Sequence, residues 1–121
     1  MIAPIFAVCS ANAGVTALLG TAPVRLYPFG EAPQGTLLPY TVWQVIGGSP
    51  ENYLGNRPDL EGYRLQIDVY GATGSSVNAV KSALEAAIEN FAHVVSYNLD
   101  GRDEATKNYR TSFDVQWLVN R

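Results

Sequence analysis

The sequence predicts an α+β domain: a mostly antiparallel or mixed sheet of about five strands, with two helical segments packed on one face. Two segments, Tyr63–Gly71 and Asn108–Val119, alternate apolar and polar residues. Period two turns one face of a strand to a core and the other to polar surroundings. A third segment, Ser75–Asn90, repeats its apolar residues at helical spacing. Strands on both sides of that helix, each with one polar face, suit a sheet covered by helices on one side only.

The chain has 121 residues and 13.1 kDa, which fits one domain spanning 1–121. A chain of this length buries about two-thirds of its unfolded surface and needs no disulfide or metal staple. The single Cys9 excludes an intramolecular disulfide and a Cys-rich zinc site.

The N-terminal helical segment begins at Pro4, whose missing N–H costs nothing in a first turn. Ile5, Val8 and Cys9 share its apolar face, so Cys9 reads as a small buried hydrophobe. Asn12 is an N-cap for a second turn through Val15, Leu18 and Leu19, and Gly20 stops it. The pattern leaves open one kinked helix or two. Ala11-Asn12-Ala13 has the look of a signal-peptidase site, but no Lys or Arg precedes Arg25, and Val8 before Cys9 does not suit a lipoprotein site. An ordinary helix is the favoured reading. No run approaches the roughly 18 apolar residues of a spanning helix, so no membrane partner is expected.

Val24–Tyr27 reads as a short strand closed by Pro28, and Phe29–Leu38 as a Gly- and Pro-rich loop. Tyr40–Ile46 is rich in β-branched and aromatic residues and reads as a strand, broken by Gly47-Gly48-Ser49-Pro50. A second loop then runs to about Glu61 and carries Tyr53, Leu54, Arg57 and Asp59. Loops of this length in a small domain are usually functional or disordered. In the central strand Tyr63, Leu65, Ile67 and Val69 face one way, and Arg64, Gln66, Asp68 and Tyr70 the other. Thr73 or Ser75 caps the helix that follows, whose apolar stripe is Val77, Val80, Leu84, Ala87, Ile88 and Phe91. His93–Leu99 and Asn108–Val119 close the sheet, joined through Asp100-Gly101-Arg102-Asp103-Glu104, which opens with a hairpin-type dipeptide. Tyr109, Thr111, Phe113, Val115, Trp117 and Val119 share one face of the last strand.

Catalytic chemistry finds little to stand on. The only His is His93, and no G-x-S-x-G elbow presents a nucleophile. A Cys9–His93 pair is disfavoured by the apolar setting of Cys9. Asp100, Asp103 and Glu104 lack the spacing of a calcium loop and read as a solvated turn. The Gly47-Gly48 and Gly55 region lacks the ending of a phosphate loop, and no cofactor motif is present. The formal charge of −3 argues against nucleic acid, whose phosphates need a basic face. The residues therefore point to an interaction or structural role.

Charge is also sparse: 16% of residues are Asp, Glu, Lys or Arg, against roughly 25% in an ordinary soluble domain. Interfaces are depleted in charge relative to free surface. The weakly charged, helix-free sheet face is either solvated or meets a partner; if it meets a partner, the scarce charges are expected at the rim.

The run Arg25-Leu26-Tyr27-Pro28, then Ala32-Pro33-Gln34-Gly35-Thr36-Leu37-Leu38-Pro39-Tyr40, resembles the tail-completion or tail-terminator family of long-tailed bacteriophages and prophages. Tyr63–Tyr70 looks like the central strand of that family, Ser75–Asn90 like its helix, and Tyr109–Trp117 like its closing strand. The pieces are short; their order and spacing, over nearly the whole chain, carry the resemblance. It implies a structural virion protein without catalysis or cofactor. Such a protein forms a homo-oligomeric ring, usually a hexamer, on the head-proximal end of the tail tube. The ring ends polymerisation of the major tail tube protein and offers a docking surface to the head connector or neck protein. The place implied is the virion tail, with the host cytoplasm during assembly. Interface candidates are Trp43, read as lying on the outer sheet face, and Tyr53, Leu54, Arg57 and Asp59 in the second loop; Tyr and Arg are enriched at interface hot spots. Alternatives are another phage neck or head–tail joining protein, a non-viral small-molecule-binding α+β domain using its open sheet, and a small hydrolase or isomerase. Oligomeric state separates the first reading from the rest.

Overall fold

Local chemistry decides where the first helices begin and end. The computed structural model describes residues 4–51 and 60–120. Helix α1 (Ile5–Ser10) follows Pro4. Asn12 is extended and its side chain accepts the Val15 N–H at 3.1 Å, which starts α2 (Ala13–Leu19). The N-terminal segment is thus two helices. Gly20 ends α2 at a φ of 80° that disfavours any side chain. A Cβ there would also lie 2.7 Å from the Arg25 guanidinium. Arg25 donates to Pro39 O at 2.9 Å and to Leu18 O at 3.2 Å, tying the end of α2 to the segment that leads into the sheet.

The sheet contains β1 (Leu26–Pro28), β2 (Tyr40–Glu51), β3 (Leu60–Gly71), β4 (Ala92–Arg102) and β5 (Tyr109–Asn120), in the order β1-β2-β3-β5-β4. β1 runs parallel to β2 and every other pair is antiparallel, so the sheet is mixed. Helix α3 (Gly74–Ile88) lies between β3 and β4 in sequence, and Thr73 caps it by accepting the Ser76 N–H at 3.1 Å. Gly71 is buried where β3 passes beneath the first turn of α3; a Cβ there would meet Val77 Cγ1 at 2.9 Å.

One core joins the three helices to one sheet face. Ile5 and Cys9 from α1, Val15 and Leu19 from α2, and Val80 and Leu84 from α3 meet Leu65, Ile67, Phe113, Val115 and Trp117. The register explains this. Tyr63, Leu65, Ile67 and Val69 stand opposite Trp117, Val115, Phe113 and Thr111, and directly opposed residues share a face. The opposite face carries Arg64, Gln66, Asp68 and Tyr70 beside Gln116, Asp114, Ser112 and Arg110. No helix covers it among the described residues.

Four sequence expectations change. β2 does not stop at Gly47-Gly48-Ser49-Pro50: it continues to Glu51, paired with a β3 that starts at Leu60, and the glycines mark a bulge between Val45 and Gly47. β4 runs through Asp100-Gly101, and the hairpin turn forms one step later. Asp103 makes that turn, its carboxylate accepting the Ala105 and Thr106 N–H groups and its N–H reaching Asn108 O at 2.8 Å. Helix α3 ends at Ile88, so Phe91 leaves the buried stripe and stacks on Trp117 with centroids 6.2 Å apart. Finally, Trp43 pairs with Ile67 and so lies on the helix-covered face, not the outer one. Both phases of β2 are rich in apolar side chains, so alternation could not choose between them; pairing with β3 does.

Candidate functional site

The residues that suggested chemistry serve the fold. Cys9 is fully buried in the core, and burial pushes its thiol up to about 12, far from a reactive thiolate. His93 is exposed on β4 opposite Gln116, on the polar side of the sheet, so the sheet separates it from Cys9. Asp100 accepts the Thr111 hydroxyl, Asp103 builds the turn, and Glu104 faces Lys107 at 3.5 Å. Among the described residues no group of His, Cys, Asp and Glu could hold a metal ion, and no helix is long and apolar enough to cross a membrane.

The helix-free face is a closed polar ladder. Gln44 donates to Gln66, and Gln66 to Asp68 and to Ser112, at 3.3 to 3.5 Å. Arg110 reaches Asp68 at 3.1 Å. Asp114 accepts Asn98 at 2.7 Å and Ser96 at 3.2 Å, with Arg64 at 3.7 Å. Asp68 and Asp114 are each only 8% exposed, because neighbouring side chains lie over them. For Arg110, burial pulls the pKa down, but the Asp68 hydrogen bond and charge outweigh it and raise the guanidinium overall. Tyr40 stacks on Tyr70 at 4.9 Å beside this pair, and burial raises the Tyr70 phenol. Together with Arg102 and Asn108 they line a basin of about 400 Å³ at one end of the face. The charges expected at a rim are therefore on the open face itself, paired with one another.

Apart from Leu37 in the loop before β2 and Ile46 on β2, the exposed large apolar side chains among the described residues lie at the two lateral ends of the sheet. At one end Phe6 from α1, Phe29 after β1, and Trp43 and Val45 from β2 line a groove of about 630 Å³. Phe29 is 66% exposed, and the Trp43 indole N–H, though buried, has no acceptor among the described residues. At the other end edge strand β4 displays Val95, Tyr97 and Leu99, with Phe91 just before it. Tyr97 is 62% exposed; Lys81 Nζ stands 4.4 Å from its ring centre, and the Glu85 charge, then burial, raises its phenol.

Of the residues singled out from sequence, Trp43 belongs to the groove. Tyr53, Leu54, Arg57 and Asp59 lie outside the described residues, in the connection between Glu51 and Leu60. Sequence reasoning missed Phe6, Phe29, Val95, Tyr97 and Leu99. Phe29 stands in a stretch read only as loop. In β4 two irregularities, between Val94 and Ser96 and between Tyr97 and Leu99, scramble the alternation that would have shown which apolar residues point outward.

The sequence matches the family described as tail completion protein gp17 over residues 3–120. The chain belongs to that family. It is a structural protein of a phage-type tail. No curated protein matches the chain. Among solved structures it is similar to a chain of the virion of a native gene transfer agent particle, at 16% identity and a TM-score of 0.60, covering 97% of this chain and 92% of that one. That likeness is one of fold.

Proposed function

We propose that this tail completion protein forms a ring at the head-proximal end of the tail tube, ends polymerisation of the tube protein, and presents a surface to the head connector or neck protein. One observation supports ring formation above others. Two exposed apolar surfaces, built from different residues, lie at opposite ends of one sheet. A ring is built from head-to-tail contacts and needs two different patches per subunit. A two-fold dimer would need one self-complementary patch. A hexamer is the ring size the family resemblance implies.

In this reading no bond is made or broken; the work is steric and adhesive. The ring binds the last layer of tube subunits and leaves the next one no surface to add to. The polar ladder stays intact, since most of its donors and acceptors already pair with one another. The experiment is a capping assay. Tail tube protein is allowed to polymerise with and without the purified chain, and tube lengths are measured by electron microscopy. The expected result is growth arrest, with added density on one tube end. Unchanged lengths with no end density would contradict the proposal.

A further inference from the structure

We propose that the basin at one end of the open sheet face takes a carboxylate side chain, an Asp or Glu presented by an adjoining protein, with Arg110 as its anchor. The inference goes beyond the ring reading and does not depend on it.

The register makes the basin. Tyr40, Tyr70 and Arg110 follow one another across the face, and the next position, on β4, is Gly101. Gly101 has no side chain to complete the row, so a gap opens beside Arg110, flanked by Leu99 and Asn108. Its volume of about 400 Å³ has room for an acidic side chain and part of the backbone that bears it.

This gap has donors to spare and acceptors already used. Among the described residues the Arg110 guanidinium makes one hydrogen bond, from Nη2 to Asp68. Its Nε is buried without an acceptor, and a buried donor left so is costly. The phenols of Tyr40 and Tyr70 and the side-chain amide of Asn108 make no hydrogen bond among the described residues. The acceptors nearby are occupied: the Asp103 carboxylate takes the Ala105 and Thr106 N–H groups, and Thr106 Oγ1 takes the Asn108 N–H. Spare donors and spent acceptors select a group that only accepts, and an ionised carboxylate is such a group. Arg–carboxylate hydrogen bonds are among the stronger ones, and two can form at once.

The neighbouring charges set the limit. Asp68 offsets Arg110 at 3.1 Å, and Asp103 stands at the wall. Arg102 belongs to the other strand phase and lies over the Tyr109 ring at 5.5 Å, so it adds a cation at the margin. Glu104 and Lys107, in the turn, face each other. That balance suits one carboxylate and not a run of phosphates, which needs a basic face. The stacked Tyr40 and Tyr70 rings and exposed Leu99 give the stem of a side chain apolar walls, which an inorganic anion has no use for.

Nuclear magnetic resonance on the full, isotope-labelled chain tests it. The probes are the peptide Ac-Gly-Glu-Gly-amide and its Gln counterpart. The Glu peptide should move the Arg110 Nε–H signal and the Gly101 and Asn108 amides saturably. The Gln peptide should need at least about ten times the concentration, the loss of one charged hydrogen bond. Gly101→Leu fills the gap. A Cβ there meets only Leu99 Cδ1, at 3.8 Å, so this variant should fold and lose binding. Arg110→Lys leaves Asp68 a cation but removes the planar fork, and should weaken binding about tenfold. If either variant loses its dispersed spectrum, Asn108→Ala replaces it; the turn keeps its backbone bonds, and binding should weaken severalfold.

Equal titration by both peptides, shifts confined to other residues, wild-type binding by Gly101→Leu, or no saturable shift would overturn the site. So would inorganic phosphate or an oligothymidylate that binds these residues more tightly than the Glu peptide. The two readings fail separately. Peptide binding by a chain that leaves tubes uncapped keeps this site and removes the ring; capping by a chain that ignores the peptide does the reverse.

Discussion

Arg25 shows how much one side chain carries here. Its guanidinium holds Leu18 O and Pro39 O, two carbonyls that belong to no regular ladder. Arg25→Met keeps the aliphatic stem and deletes both bonds. Loss of two charged hydrogen bonds to partly buried carbonyls should cost about 2–4 kcal/mol in urea unfolding. Asp68 is the corresponding residue on the open face. Asp68→Ala leaves Arg110 half-buried without its anion and Gln66 short of an acceptor, so a loss of about 1–3 kcal/mol is expected. Cys9 gives a pH signature. Its folded pKa is raised from 9.0 to about 12 by burial. The folded state therefore keeps the proton that the unfolded state releases, so the stability is fully present below pH 9 and falls as pH rises toward 12. Chemical denaturation at pH 7 and pH 10.5 should show that loss in the wild type and a smaller one in Cys9→Ala. In the native state at neutral pH the thiol should also resist maleimide, and react once urea unfolds the chain.

At the scale of elements, the most regular segments were the most legible. The alternation in β3 and β5, the α3 stripe and the Asn12 and Thr73 caps all follow from side-chain period and local hydrogen bonding, and the structure has them. What escaped was decided by pairing between distant residues. The face of Trp43 depends on its register with Ile67, which the sequence of β2 does not encode when both its faces are apolar. The β4–β5 turn depends on Asp103 capturing two N–H groups, which outcompetes the more familiar Asp100-Gly101 signal. The apolar groove is assembled from α1, β1 and β2, so no local pattern announces it. Caps and close approaches make checkable statements at this scale. Thr73→Ala should cost about 1 kcal/mol of stability by removing the α3 cap. Gly71→Ala should cost about 1–3 kcal/mol, because the new methyl must displace Val77 in a packed site. Thermal or urea unfolding measures both, and a neutral Gly71→Ala would mean the β3–α3 approach is looser than the 2.9 Å contact implies.

At the scale of the molecule, the low charge content acquires a location. The sequence suggested a weakly charged open sheet face, but that face contains paired charges joined by side-chain hydrogen bonds. The surface without a solvent-facing purpose is at the lateral ends, where aromatic side chains stand exposed on a chain that belongs to a tail completion family. Both ends are edges of one five-stranded sheet, so copies joined through them, as proposed, would repeat one rotation. In the proposed ring that repeated rotation closes on itself; a rotation that did not close would give a filament. The most direct measurement of the central claim is tail length in particles made without this gene, imaged by electron microscopy. Loss of a terminating ring predicts overlong tails with no heads attached, restored to normal by the wild-type gene. Tails of normal length and uniform distribution would contradict the account.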